Sequence, residues 1–313
     1  MYEKYYGLKR SPFGLSPDPR FFFPTQSHNE ALAMLRYGVV ERKGIVVITG
    51  EVGTGKTMLL QYLLDLLARA NITFAFVANP RLSVTEFLSY VLTDLRLTAA
   101  GSTKGEMLSR LNDYLLARSR RKAITAIVVD EAHLLNWELM EEIRLLTNLE
   151  TFQHKLVQLV LAGQPELDQR LDSPELRQLK QRISFRCQLT PLTFAEMRGY
   201  IQSRLEHAGA NSDAEAIFPD ESIAAIYEFS GGIPRIVNNL CENSLVAGYG
   251  KQMPEITAET IREVASDLRL SQVAITSLED HVETDAEIDI PLVSTGEAMP
   301  EPLTQSEPGA EKP

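Results

Sequence analysis

The run Gly50-Glu51-Val52-Gly53-Thr54-Gly55-Lys56-Thr57, continued by Met58, fits the spacing G-x-x-x-x-G-K-[ST]. Glycines let successive backbone N–H groups turn inward around phosphate oxygens, in conformations a side chain would block. A helix opening near Lys56 adds the positive end of its dipole. Lys56 brings a cation to the β- and γ-phosphates, and the Thr57 hydroxyl is a Mg²⁺ ligand. The whole run from Gly50 to Met58 is therefore read as binding ATP. Before it, Ile45-Val-Val-Ile-Thr49 is a β-branched run typical of a strand covered on both faces. After it, Thr57 to about Ala68 reads as an apolar helix, so the motif has the strand–turn–helix context it needs.

Downstream, Ile127-Val-Val-Asp130-Glu131 closes another buried strand, from Thr125 to Val129, with two carboxylates. Ligands of a parallel sheet gather at the carboxyl ends of its strands. Asp130 is thus expected beside the phosphate loop as a second Mg²⁺ holder, and Glu131 as the group that polarises an attacking water. Further strands are predicted at Thr73 to Ala78, Leu156 to Ala162 and Ser184 to Leu189. Helices alternate with them, opened by the capping boxes Ser27-His-Asn-Glu30 and Ser83-Val-Thr-Glu86. The prediction is an α/β domain, a parallel sheet sandwiched by helices. Beyond Pro191 strands disappear, and helices follow from Thr193, Asp220, Pro234 and Thr257. The expected organisation is an N-terminal arm and first helix (1–41), the α/β domain (42–190), a small all-helical lid domain (191–270) and a disordered acidic tail (271–313).

Charge is distributed unevenly. The 313 residues carry a net charge of -11, but residues 271–313 hold ten acids and one base, a charge of -9. The rest of the chain is nearly neutral, which argues against coating DNA by bulk charge. Arg118-Ser-Arg-Arg-Lys122 is the one compact basic cluster, a solvated loop or a patch for an anionic partner. Two cysteines, Cys187 and Cys241, supply neither a disulfide framework nor a cysteine-rich zinc site. The first ten residues have no apolar core of a signal peptide, and the longest aliphatic run is far too short to span a bilayer. A cytoplasmic protein is expected, reaching the inner membrane through a partner. Trp137 is expected to pack at the start of its helix, and His133 to contact the strand end beyond it.

The two motifs, followed by a helical domain, resemble AAA+ P-loop NTPases. That resemblance implies a sensor residue at the end of the fourth strand, here Gln164 in Leu159-Val-Leu-Ala-Gly163-Gln164. It implies a lid arginine after a glycine turn, here Arg235 in Gly231-Gly-Ile-Pro-Arg235. It also implies an arginine finger ahead of the last strand, with Arg182 preferred over Arg177 and Arg186.

A narrower resemblance covers residues 1 to 270. Tyr5-Tyr-Gly-Leu-Lys-Arg-Ser-Pro-Phe13, Pro17-Asp-Pro-Arg-Phe21-Phe22, Asp130-Glu-Ala-His133 and Leu161-Ala-Gly-Gln-Pro-Glu-Leu167 resemble the ExeA (GspA) type of secretion ATPase. It implies a homo-oligomer that hydrolyses Mg-ATP to assemble a secretion, pilus or envelope-export machine. It also implies an arm whose Phe21, Phe22 and Phe23 help to wall the adenine. Such proteins continue into a membrane span and a peptidoglycan-binding domain; neither is read here, so a short form is expected. A DNA-linked ATPase of the TniB transposition type is the alternative, and a nucleotide-dependent switch with little turnover is a third reading.

Overall fold

A computed structural model describes residues 1–14, 18–99, 101, 103–210 and 217–273 of the chain. Pro17 and the acidic tail beyond Val273 lie outside them. Five strands form one sheet: β1 Ile45–Gly50, β2 Thr73–Val77, β3 Thr125–Val129, β4 Gln158–Gly163 and β5 Ile183–Leu189. Their order is β2-β3-β4-β1-β5, and every neighbouring pair is parallel. Parallel strands need both faces covered. Accordingly every residue of β1, β3 and β4 is buried, while β5, at the edge, is half-exposed.

Alternation along β1 divides the core. Val46 and Ile48 point to one face, where α2 (Gln26–Val40) and α3 (Lys56–Arg69) bury Leu35, Leu59 and Leu63. Ile45 and Val47 point to the other, against α4 (Val84–Asp94), α5 (Lys104–Arg120) and α6 (Trp137–Leu146) through Phe87, Leu111 and Met140. Fully burying each such side chain contributes roughly 1.5–3 kcal/mol. Short helices α7 (Glu166–Leu171) and α8 (Arg177–Lys180) lead into β5.

A helical layer follows: α9 Phe194–His207, α10 Asp220–Ser230, α11 Pro234–Gly250 and α12 Ala258–Asp267. Its core takes in Tyr2, Tyr6 and Phe13 of the N-terminal arm, whose first turn is α1 (Tyr2–Tyr5). Backbone and side chains tie the arm down: Lys9 N–H donates to Ala208 O (2.8 Å), Tyr6 OH to Met253 O (3.0 Å) and Arg204 Nη1 to Pro12 O (2.7 Å).

Two local expectations are corrected. Helix α2 starts at Gln26, not after Ser27: Thr25 is the cap, its hydroxyl accepting from His28 N–H at 3.3 Å. The earlier start lets the His28 ring turn back onto Thr25 and be buried. Trp137 is half-exposed, because the first residue of α6 lies off the face that buries Leu139, Met140, Ile143 and Leu146.

Candidate nucleotide-binding site

The loop between β1 and α3 curls at the carboxyl end of the sheet. Gly53 and Gly55 adopt φ of +88° and +101°, a region L side chains rarely enter. Space forbids side chains there too: a Cβ on Gly53 would stand 2.7 Å from Arg235 Cβ, and one on Gly55 3.1 Å from His28 Nε2. Thr54 is buried and its hydroxyl donates to Glu51 O at 2.9 Å, closing the turn. Lys56 opens α3 and is 6% exposed. Its ammonium donates to Gly50 O (2.7 Å) and Glu51 O (2.8 Å), so the amine is held over the loop. Burial pushes its pKa down, and the nearby Glu131 and Asp130 carboxylates push it back up.

Asp130 follows β3, with its N–H donating to Val77 O at the end of β2 (2.9 Å). The order β3-β4-β1 brings it across the sheet end to the phosphate loop. Thr57 Oγ1 donates to Asp130 Oδ2 at 2.9 Å, and Glu131 N–H donates to Oδ1 at 2.8 Å. Burial raises the Asp130 carboxyl above its ordinary range, with those two hydrogen bonds opposing. Glu131 stands at φ +51°, a left-handed conformation that costs a non-glycine residue of order 1 kcal/mol and aims its carboxylate away from the strand line.

His133 connects the carboxylates to the next strand. Its Nδ1 is 3.4 Å from both the Gln164 N–H that donates to it and the Glu131 carboxylate. Arg170 of α7 fixes this turn by donating to His133 O and, at 2.6 Å, to Leu135 O.

An open cleft joins these parts. Lys56, Thr57, Met58, Val52 to Gly55, Glu131, Gln164 and Arg235 all line it. The helical layer reaches the loop through backbone as well, since Arg235 N–H at the start of α11 donates to Gly53 O at 3.2 Å. Gly50 and Glu51 support the loop from beneath through their carbonyls. Phe21, Phe22 and Phe23 line the cleft, each with a packing partner of its own: Arg204 over Phe21 (5.1 Å), Tyr62 stacked on Phe22 (4.7 Å) and Tyr200 at the edge of Phe23 (5.9 Å).

The arginine candidates lie elsewhere. Register pairs Ile45 with Ile183 and Gly50 with Leu189. Arg182, just ahead of Ile183, is therefore at the opposite end of β5 from the phosphate loop. It donates to Thr147 Oγ1 at 2.6 Å. Arg186 is engaged within the chain by Asp172 (3.1 Å) and Asp168 (3.4 Å), and Arg177 is exposed on α8.

Sequence reasoning missed His28, Tyr200, Arg204 and Asn238, all in the cleft wall. Arg204 is buried, Nη1 on Pro12 O, and also lies 4.9 Å from the Tyr200 ring. Tyr200 OH donates to Asn238 Oδ1 at 2.9 Å. One signal was available: Tyr200 and Arg204 stand four apart on the apolar face of α9, where an arginine is out of place.

Residues 40–171 match the family described as AAA domain. General secretion pathway protein A of Aeromonas hydrophila is 37% identical over 281 residues, 90% of this chain and 49% of that protein, so the chain spans about half its length. Among solved structures, Cdc6p from Pyrobaculum aerophilum superposes with a TM-score of 0.64 at 17% identity, covering 82% of this chain and 70% of that one. The Aeropyrum pernix ORC1 protein in complex with DNA gives 0.61 at 17% identity, over 83% and 69%. The Thermotoga maritima RuvB Holliday junction branch migration motor gives 0.52 at 18%, over 79% and 70%. These three share the fold. By sequence, by fold and by the motifs at the end of the sheet, residues 40–171 form an AAA domain, in a chain that is similar to general secretion pathway protein A over 90% of its own length.

Proposed function

We propose that this chain binds and hydrolyses Mg-ATP, as an oligomer, to drive assembly of a secretion, pilus or envelope-export machine. The observation that carries the reading is the Thr57–Asp130 hydrogen bond of 2.9 Å, which joins two motifs 73 residues apart beside the buried Lys56. A hydroxyl, a carboxylate and a glycine cradle fit a hard cation held together with phosphate oxygens. Mg²⁺ there would neutralise the charge that develops on the phosphates. Lys56 binds the terminal phosphates and Glu131 orients and deprotonates the attacking water. Gln164 positions that water from the end of β4, and Arg235 closes the lid over the phosphates. The assembly role rests on the likeness to general secretion pathway protein A.

Lys56→Ala is expected to weaken ATP binding about 100-fold, since it removes charge-assisted hydrogen bonds of roughly 1.5–3 kcal/mol each. Glu131→Gln keeps shape but not basicity, so ATP stays bound while turnover falls ~10²–10⁴-fold. Calorimetric binding and phosphate-release assays separate the two effects; equal loss of affinity in both variants rejects these roles. Turnover stimulated by DNA with a steep salt dependence would replace the export reading with the DNA-linked one.

A further inference from the structure

The end of the sheet opposite the nucleotide cleft carries a second surface. The turns that lead into β1, β3 and β4 all lie there, because the strands are parallel. Arg42 and Lys43 come from the first turn and Arg120, Arg121 and Lys122 from the second. Arg42 Nη2 joins the two turns by donating to Lys122 O (3.0 Å) and Ala123 O (3.2 Å). None of these five cations has an ion pair among the described residues, although the chain as a whole is acidic. Glu150, on the neighbouring hairpin, is paired with Lys155, and Glu41 stands next to Arg42 in the first turn.

The third turn adds an apolar tip. Residues 150–155 form a tight hairpin closed by Thr151 N–H to His154 O (3.0 Å), and His154 Nε2 lies 2.9 Å from Ser119 Oγ at the edge of the basic cluster. Phe152, at the apex, is 112% exposed, so none of the described residues covers its ring. A single exposed ring is ordinary at a protein surface, but one set on a braced hairpin beside a cation cluster offers an apolar tip to whatever those cations attract.

We propose that this end face docks on an anionic lipid surface, with Phe152 entering the headgroup region and the cations meeting lipid phosphates. The site goes beyond the nucleotide reading and does not depend on it. Clusters of four to eight lysines and arginines suit anionic headgroups, and an aromatic tip adds apolar burial. A single-stranded nucleic acid would instead call for several open aromatic faces along a groove. Here the neighbouring Tyr37 ring has Lys43 Nζ over it at 5.6 Å, which leaves Phe152 as the uncovered ring of the cluster. Docked in this way, the molecule turns its nucleotide cleft away from the bilayer.

The test is flotation of the full chain with vesicles of phosphatidylcholine alone and of phosphatidylcholine with roughly one-third phosphatidylglycerol. The chain is expected to float with the anionic vesicles alone and to be released by high salt. The triple variant Arg120→Gln, Arg121→Gln, Lys122→Gln should bind those vesicles about 100-fold more weakly, and Phe152→Ser about tenfold more weakly. Both should keep wild-type melting temperature and ATP affinity, which separates loss of docking from loss of fold. Absence of flotation, equal flotation with neutral vesicles, or binding unchanged in both variants overturns the proposal. So does tighter capture of a single-stranded oligonucleotide that the triple variant abolishes, which would make the face a nucleic-acid surface.

Discussion

His28 shows how one side chain joins segments far apart in sequence. Its Nδ1 lies 2.6 Å from the capping hydroxyl of Thr25, and its other nitrogen faces Gly55 in the phosphate loop. Burial lowers its pKa below the usual value of 6.5, with the Thr54 backbone opposing. A histidine with a depressed folded pKa stays neutral while the unfolded chain takes up a proton. Its contribution to stability is therefore complete above pH 6.5 and is lost as pH falls toward the folded value. Melting curves taken across mildly acidic pH should show wild type losing stability faster than His28→Gln, which itself costs about 1–2 kcal/mol near neutrality. Parallel pH profiles would remove His28 from this role. The phosphate loop itself was legible because its eight residues are consecutive and each has a chemical reason. His28 was not, because its meaning is a contact across 26 positions and the Ser27–Glu30 pattern drew the helix start past its true cap.

Local rules served well at the scale of elements. The capping box at Ser83 forms as read, and the helix expected from Thr193 opens on another, both reciprocal bonds being present in each. The β-branched runs are the buried central strands. What local pattern could not reveal is how the lid meets the loop. Gly232 sits at φ +74°, and a Cβ there would stand 1.9 Å from Leu192 O, with Leu192 N–H donating to Gly232 O at 2.9 Å. This crossing sets where α11 begins, and hence where Arg235 meets Gly53. Gly232→Ala is expected to cost roughly 2–4 kcal/mol and to weaken ATP binding with it, since backbone rather than a flexible side chain must give way. Its neighbour is the control: Gly231 has φ +55°, but a Cβ there would meet only Val273 methyls at 3.3–3.4 Å. Gly231→Ala should cost about 1–2 kcal/mol with ATP affinity intact. Denaturant midpoints and ATP titrations on the pair decide it, and equal effects would mean the crossing does not position the lid. The cleft wall was half legible for the same reason. Phe21 to Phe23 stood out as an aromatic run, whereas Tyr200 and Arg204 reach the cleft only because the arm straps across α9.

At the scale of the whole molecule, the sheet separates its polar equipment into two ends. Lys56, Thr57, Asp130 and Glu131 gather at the carboxyl end, while Arg182 lies at the amino end of the edge strand β5, on Thr147. Arg182 therefore cannot serve the cleft of its own chain, and as a finger it would serve a neighbour's. Guanidinium suits that task because it stays charged and spans two phosphate oxygens. Its loss typically costs ~10³–10⁵ in turnover, roughly 4–7 kcal/mol of transition-state stabilisation. Arg182→Ala should thus bind ATP normally and hydrolyse it very slowly, unlike Arg235→Ala, which should bind ATP more weakly within its own subunit. Surrender of the Thr147 hydrogen bond costs on the order of 1 kcal/mol, too little to mimic that loss. Mixing inactive Arg182→Ala with inactive Lys56→Ala gives the decisive measurement. Each protein keeps what the other lacks, so an interface that pairs an intact cleft with an intact finger hydrolyses ATP. Recovered phosphate release that rises with total protein concentration supports shared sites. Wild-type turnover by Arg182→Ala alone would exclude this residue and move the test to Arg177, exposed on α8, before Arg186, whose guanidinium is already engaged by Asp168 and Asp172.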